Sequence, residues 1–238
     1  MFGYPFYLGF GYGVDPAYLL LVVVSLVLGV LTQGYINSSY RKWSRVPSDG
    51  ESGEQVARRM LDANGCSAVG IRHVAGHLTD HYDPRDNNLY LSGDNLSGGS
   101  VASVAVACHE AGHAAQRESG YFMMKVRHAL VPVVNFSQNA WMLIFLMGVF
   151  TNLAGLTTIA IALFAFSVLF QLVTLPVEFD ASRRAIAFIE SSGMGEVNAR
   201  GARQVLTAAA LTYVAAALTS VLQLLYILGR SGLGGDEE

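Results

Sequence analysis

Charge is what this 238-residue sequence has least of: Asp, Glu, Lys and Arg make up only 14% of it, whereas 52% is apolar. So low a charged fraction is out of keeping with a soluble domain of this size and requires that the apolar surplus sit in lipid. Cysteine is almost missing too, at two residues, Cys66 and Cys108. That excludes a secreted fold stapled by several disulfides. Residues 1–40 hold no Lys or Arg. A signal peptide would open with basic residues, so the first apolar run is expected to stay as an anchor. The net charge is −3, and no dense basic patch with interleaved aromatics exists, so no nucleic-acid partner is expected.

What is present collects in four apolar stretches, at about 17–36, 130–150, 156–175 and 205–228, each near the roughly 20 residues that a helix needs to cross the hydrocarbon core. Asn135, Gln138 and Asn139 make the second stretch the most polar, and they are expected to face other protein groups or the membrane interface. The opening run FGYPFYLGFGYGVDP suits headgroup level, where amphipathic rings settle. Of 15 basic residues, ten lie in 41–127, four are Arg183, Arg184, Arg200 and Arg203, and one is Arg230. If all four stretches cross, the first two groups share a side, which the positive-inside rule makes cytoplasmic. A multi-pass protein of the plasma membrane is expected, in contact with lipid, with both termini outside and its thiols reduced.

The chain then divides into an outer segment and first transmembrane helix (1–36), a cytoplasmic region (37–128), a transmembrane hairpin (129–175), a second cytoplasmic segment (176–204), and a last transmembrane helix with its tail (205–238). Ser52 and Gln55 fit a capping box, and Val56, Met60 and Leu61 recur at helical spacing before Gly65 stops the helix. Residues 69–74 and 78–82 read as extended, DPRDNN as a turn, and NLYLS (88–92) as a strand. After the loop SGDNLSGGS, a helix is expected from near Ser100 to Gly120, with a small-sided apolar surface. The fold class is mainly α and integral to the membrane, with about four transmembrane helices and a small cytoplasmic α+β element of zincin type. The tail GGDEE is expected to be solvated.

On that last helix His109 and His113 stand one turn apart on one face, where both rings can bind one zinc ion. Glu110 sits beside them to take a proton from water on the metal. Such an HExxH pattern arises by chance in roughly one chain in two hundred of this composition. Two incidental histidines on a buried helix are the alternative, but burying two imidazoles and a carboxylate among small apolar residues is costly. The longer HExxHxxGxxH form is excluded, because Gln116 and Ser119 occupy its Gly and last His positions. Glu178 follows the third apolar stretch, and two crossings return it to the face of His113, so it is the expected third ligand. A solvated carboxylate paired with Arg183 or Arg184 is its ordinary alternative. His73, His77 and His81 share no face in a strand or loop region and are read as ordinary, with His81 the best outsider for touching substrate. His128 is expected at the interface; Tyr213, within the fourth stretch, could reach the site, although most such tyrosines only pack or find one hydrogen bond.

HEAGHAAQ, LTDHYDPRDNNLYLS, FQLVTLPVEFDASRRA and LTAAALTYVAAALT together resemble the YugP-type bacterial membrane zinc metallopeptidases over nearly the whole chain. Those are similar in turn to the wider gluzincin group, including the HtpX-like and prenyl-protein endopeptidases. The resemblance implies a third ligand in an ExxAD motif, matched by Glu178 and Ala181, but the place of its Asp is held by Ser182. That Asp would orient a zinc-bound histidine, and Asp180 is the other candidate for the task. The expected activity is zinc-dependent hydrolysis of peptide bonds in membrane or membrane-associated proteins, with a peptide held along strand 88–92 by edge pairing. The rival is a catalytically silent zinc scaffold or chaperone-like protein. Such a site is usually closed by four ligands, often cysteines, which Cys66 and Cys108 are poorly placed to supply.

Overall fold

A computed structural model describes residues 15–151 and 153–231; the opening run before Asp15 and the tail GGDEE lie outside the described residues. In chain order the elements are α1 (Pro16–Trp43), α2 (Gly53–Ala63), β1 (Gly70–Val74), β2 (His81–Asp83), β3 (Asn88–Ser92), α3 (Gly93–Leu96), α4 (Val101–Glu118), α5 (Phe122–Thr151), α6 (Ala154–Ser191) and α7 (Gly195–Ser231). Helices α1, α5, α6 and α7 are each long and apolar enough to cross a membrane. The fold is the mainly α membrane type expected, with one small sheet.

Two compact units divide the chain. Among the described residues, one takes in those up to Leu31, those of Arg127–Val173 and those from Tyr213 to Ser231. Within it the rings of Trp141 and Phe164 meet at a tilt with centroids 4.9 Å apart, and Tyr226 donates a 2.8 Å hydrogen bond to Asp15. Large apolar side chains such as Leu20, Leu26, Val30, Leu143 and Phe150 stay exposed, a surface suited to lipid and not to water. Asn135, Gln138 and Asn139 are exposed among the described residues, and Val134 and Ser137 are the ones turned inward. These amides do not face the protein interior; Asn139 donates its amide to the Asn135 carbonyl at 2.6 Å.

The other unit comprises Thr32–Val126 and Thr174–Thr212. Its α2 starts with the capping box: Ser52 Oγ accepts from Gln55 N at 3.3 Å, and Gln55 Oε1 accepts from Ser52 N at 2.8 Å. That fixes the helix start and turns Val56, Ala57, Met60 and Leu61 into a core shared with Val101 and Val104 of α4. Leu89 and Leu91 of β3 enter the same core, two residues apart as a strand's alternation demands.

The sheet order is β1-β3-β2, with β1 parallel and β2 antiparallel to β3. Residues 88–92 therefore form the central strand, paired with β1 along their length and with β2 at 88–90, and are not an edge strand of this sheet for a peptide. The open edges belong to β1 and β2. Strand β2 begins at His81 rather than 78, because Leu78 takes a left-handed φ of 54° that no strand accommodates. The loop 92–100 contains the short helix α3, anchored where Asp80 accepts from Ser92 N at 2.7 Å and Asn95 Nδ2 at 2.8 Å.

Residues 176–204 are helical for most of their length, as the continuation of α6 and the beginning of α7. A 38-residue helix such as α6 is about 57 Å long, roughly twice the hydrocarbon core. Glu178 lies on the last four turns of α6.

Candidate metal centre

The site is a meeting of α4 and α6. Ser100 caps α4, its Oγ accepting from Ser103 N at 3.1 Å, and the rings of His109 and His113 follow one turn apart with centroids 4.9 Å from each other. Gly112 makes the approach of α6 possible. A Cβ there would stand 2.8 Å from the carbonyl oxygen and 3.2 Å from the Cα of Ala181. On α6, Glu178, Ala181 and Ser182 share one face by their spacing of three and four. Pro176, just before them, has no N–H for the carbonyl of Leu172, and Tyr121 OH donates to the Pro176 carbonyl at 3.4 Å.

Glu178 Oε2 stands 3.2 Å from His109 Nε2 and 3.6 Å from His113 Nε2. Donor atoms of these three residues all fall within 4.8 Å of one another, the one such group of three or more among the described residues. Two ligands about 2.0–2.1 Å from one zinc at a tetrahedral angle are about 3.3 Å apart, so the two imidazole–carboxylate spacings fit. Two imidazoles and a carboxylate are also a zinc donor set that leaves a fourth position open. His113 and Glu178 are 7% and 3% exposed, a depth at which polar groups need a partner.

Each ring is held from behind. Ser182 Oγ lies 3.1 Å from His109 Nδ1, so the hydroxyl is the α6 group that faces this ring. Gln116 Oε1 lies 3.0 Å from His113 Nδ1. Asp180 touches neither ring; it accepts from Gln116 Nε2 at 3.1 Å and Arg184 Nε at 2.6 Å, and pairs with Arg183. Gln116 was legible only as the residue that rules out the longer motif. Its signal is a polar side chain three residues after His113 on an otherwise small, apolar helix face.

Glu110 is half-buried beside the cluster and not part of it. Burial pushes its carboxyl above the ordinary range, His109 and His113 pull it back, and Glu178 and Asp80 push it up further. Of the other histidines, His77 packs edge-on against Tyr40 and His81 stacks on Tyr90 with Nδ1 2.9 Å from the Thr79 carbonyl. His73 pairs with Leu91 in the sheet. None of the three joins the donor group. Tyr213 is a 42% exposed residue of α7. Cys66 and Cys108 are both free and buried, and burial pushes the Cys108 thiol up to about 12, far from a thiolate ligand.

Apolar helices of spanning length and a group of two histidines and a glutamate that could hold a metal ion describe a membrane-type chain with a candidate metal centre. Residues 18–231 match a family described as "Putative neutral zinc metallopeptidase". Over 210 residues, 87% of this chain and 93% of the other, the sequence is 43% identical to "Putative membrane protease YugP" of Bacillus subtilis (strain 168). The chain belongs to this zinc metallopeptidase family. No solved structure matches it.

Proposed function

We propose that the chain is a zinc-dependent endopeptidase that hydrolyses peptide bonds of membrane or membrane-associated proteins on the cytoplasmic side. The observation that carries this reading is the three-donor group with Glu110 at its side, in a chain of a zinc metallopeptidase family. His109, His113 and Glu178 would hold the metal. When bound, zinc supplies a Lewis acid for the scissile carbonyl and lowers the pKa of water toward about 7.

Glu110 takes the proton of the attacking water and passes it to the leaving amine nitrogen. A carboxyl raised by burial suits both halves of that task better than an ordinary one. The outer edge of β2 is the better place for an extended peptide than β3. Strand β2 packs against α4, the helix that carries Glu110.

Glu110→Gln should keep one equivalent of zinc and lose peptide hydrolysis by about 10²–10⁴-fold. The readout is bound metal together with cleavage of membrane-protein fragments. Hydrolysis at the wild-type rate would remove Glu110 from the reaction, and a wild type that binds zinc but cleaves nothing would favour the silent scaffold. The cytoplasmic orientation rests on the clustering of basic residues. Cysteines introduced at Gly50 and Gly193 should be shielded from an impermeant external reagent; labelling from outside would reverse the orientation.

A further inference from the structure

We propose that Gln116 is a positioning residue that fixes the Nδ1–H tautomer of His113 and so aims its Nε2 lone pair at the metal; this rests on the reading of His113 as a zinc ligand. Gln116 is fully buried, and every polar atom of its carboxamide is engaged. Nε2 donates to the Val177 carbonyl at 2.7 Å and to Asp180 Oδ2 at 3.1 Å.

Both of those neighbours are acceptors only, since a backbone carbonyl and an ionised carboxylate have no proton to give. Turning the amide over would press Oε1 against two oxygens and leave two buried N–H groups facing the imidazole. The chemistry of the neighbours, and not the drawn identity of O and N, thus decides which end faces His113. Oε1 faces it at 3.0 Å, and Oε1 can only accept. His113 must therefore carry its proton on Nδ1 and donate it to Gln116.

The two histidines are held differently in this respect. Ser182 Oγ can donate to His109 Nδ1 or accept from it, so a hydroxyl leaves that ring a choice which the carboxamide denies to His113. Asp180 completes the device from α6. Its second oxygen is paired with Arg183, and Arg184 shares the first, so the carboxylate stays ionised and an acceptor. One amide then links the orientation of a ring on α4 to the backbone and a charge of α6.

The test uses the full chain in detergent or lipid nanodiscs. Nitrogen NMR of histidine-labelled protein, with the His113 signals identified by their loss in His113→Ala, should show a protonated Nδ1 in the zinc-free wild type. Gln116→Leu should lose exclusive Nδ1 protonation and weaken zinc binding, in competition with a chromophoric chelator, by about ten- to a hundred-fold. Gln116→Glu keeps an acceptor for Nδ1–H but loses both donated bonds to α6. It should bind zinc within a few-fold of wild type while unfolding at lower temperature.

Equal losses of zinc affinity in the Leu and Glu variants would reduce Gln116 to a tie between helices and overturn the proposal. So would an unprotonated His113 Nδ1 in the wild type, which needs no variant to fold. A wild type that binds no zinc would overturn the metal reading instead, and the zinc-free spectra would still decide the tautomer.

Discussion

Helices α1 and α4 are both apolar and both contain glycine, yet the glycines have opposite surroundings. At Gly29 and Gly34 of α1 an added Cβ would meet nothing within 4 Å, and the buried residues of that helix, Ser39, Tyr40 and Trp43, all lie at its end. In α4 most residues are buried, and a Cβ on Gly112 would run into the backbone of Ala181. A helix covered by lipid needs apolar side chains and tolerates almost any of their sizes. A helix that must bring donor atoms of two elements within 5 Å needs particular sizes as well. Small residues that look alike in the sequence are therefore spacers in one helix and geometry in the other.

The comparison breaks most severely at Glu178, the donor that α6 brings to α4. Glu178→Ala should drop bound zinc from one equivalent to well below it, whereas Asp180→Ala, which removes a carboxylate touching neither ring, should retain the metal. Metal analysis of the purified variants decides the matter. Full zinc in Glu178→Ala, with loss in an Asp180 or His81 variant, would place the third ligand elsewhere.

A smaller effect is expected where the two helices are compared directly. Gly112→Ala forces Ala181 to move by tenths of an ångström, and overpacking of that kind costs about 1–3 kcal/mol. Because Glu178 is one turn from Ala181 on the same face, the shift should also weaken zinc binding. Gly29→Ala, with open space around it, should change neither unfolding temperature nor zinc affinity. If thermal scans and chelator competition found the two variants alike, close approach would not be what Gly112 provides.

What the sequence made legible was local. Ser52 with Gln55 named the start of α2, Ser100 that of α4, and the spacing of His109 and His113 put two imidazoles on one face, each through contacts within four residues. Pairings across long stretches of chain were not legible. Residues 88–92 became central because β1 pairs with β3 in parallel and β2 takes the other side, an order that no property of NLYLS encodes. Hydropathy marked residues 156–175 but not the end of α6, since VEFDASRRAIAFIES contains good helix formers that carry the helix on. Gln116 stands three residues from His113, but the partners that decide which end of its amide faces that ring, Val177 and Asp180, lie 61 and 64 residues away.

The smallest effect belongs to Ser182, which faces the metal centre through the other histidine. Its Oγ is 3.1 Å from His109 Nδ1, close enough to hold the ring but without the charge that a carboxylate would bring. Losing a partner of this sort typically costs about ten- to a hundred-fold in metal affinity or activity, and a neutral, ambivalent hydroxyl belongs at the lower end. Ser182→Ala should therefore weaken zinc binding by about ten-fold or less, below the loss expected for Gln116→Leu. Ser182→Asp restores the carboxylate of the wider group and should hold or strengthen binding, because an ionised acceptor makes the imidazole a better donor to the metal. The site has little space to spare, with Ser182 at 9% exposure and Gly112 against Ala181, so the unfolding temperature must be read beside the affinity. A Ser182→Asp protein that folds but binds zinc more weakly, or a Ser182→Ala protein with unchanged affinity and cleavage rate, would show that this hydroxyl does not orient His109.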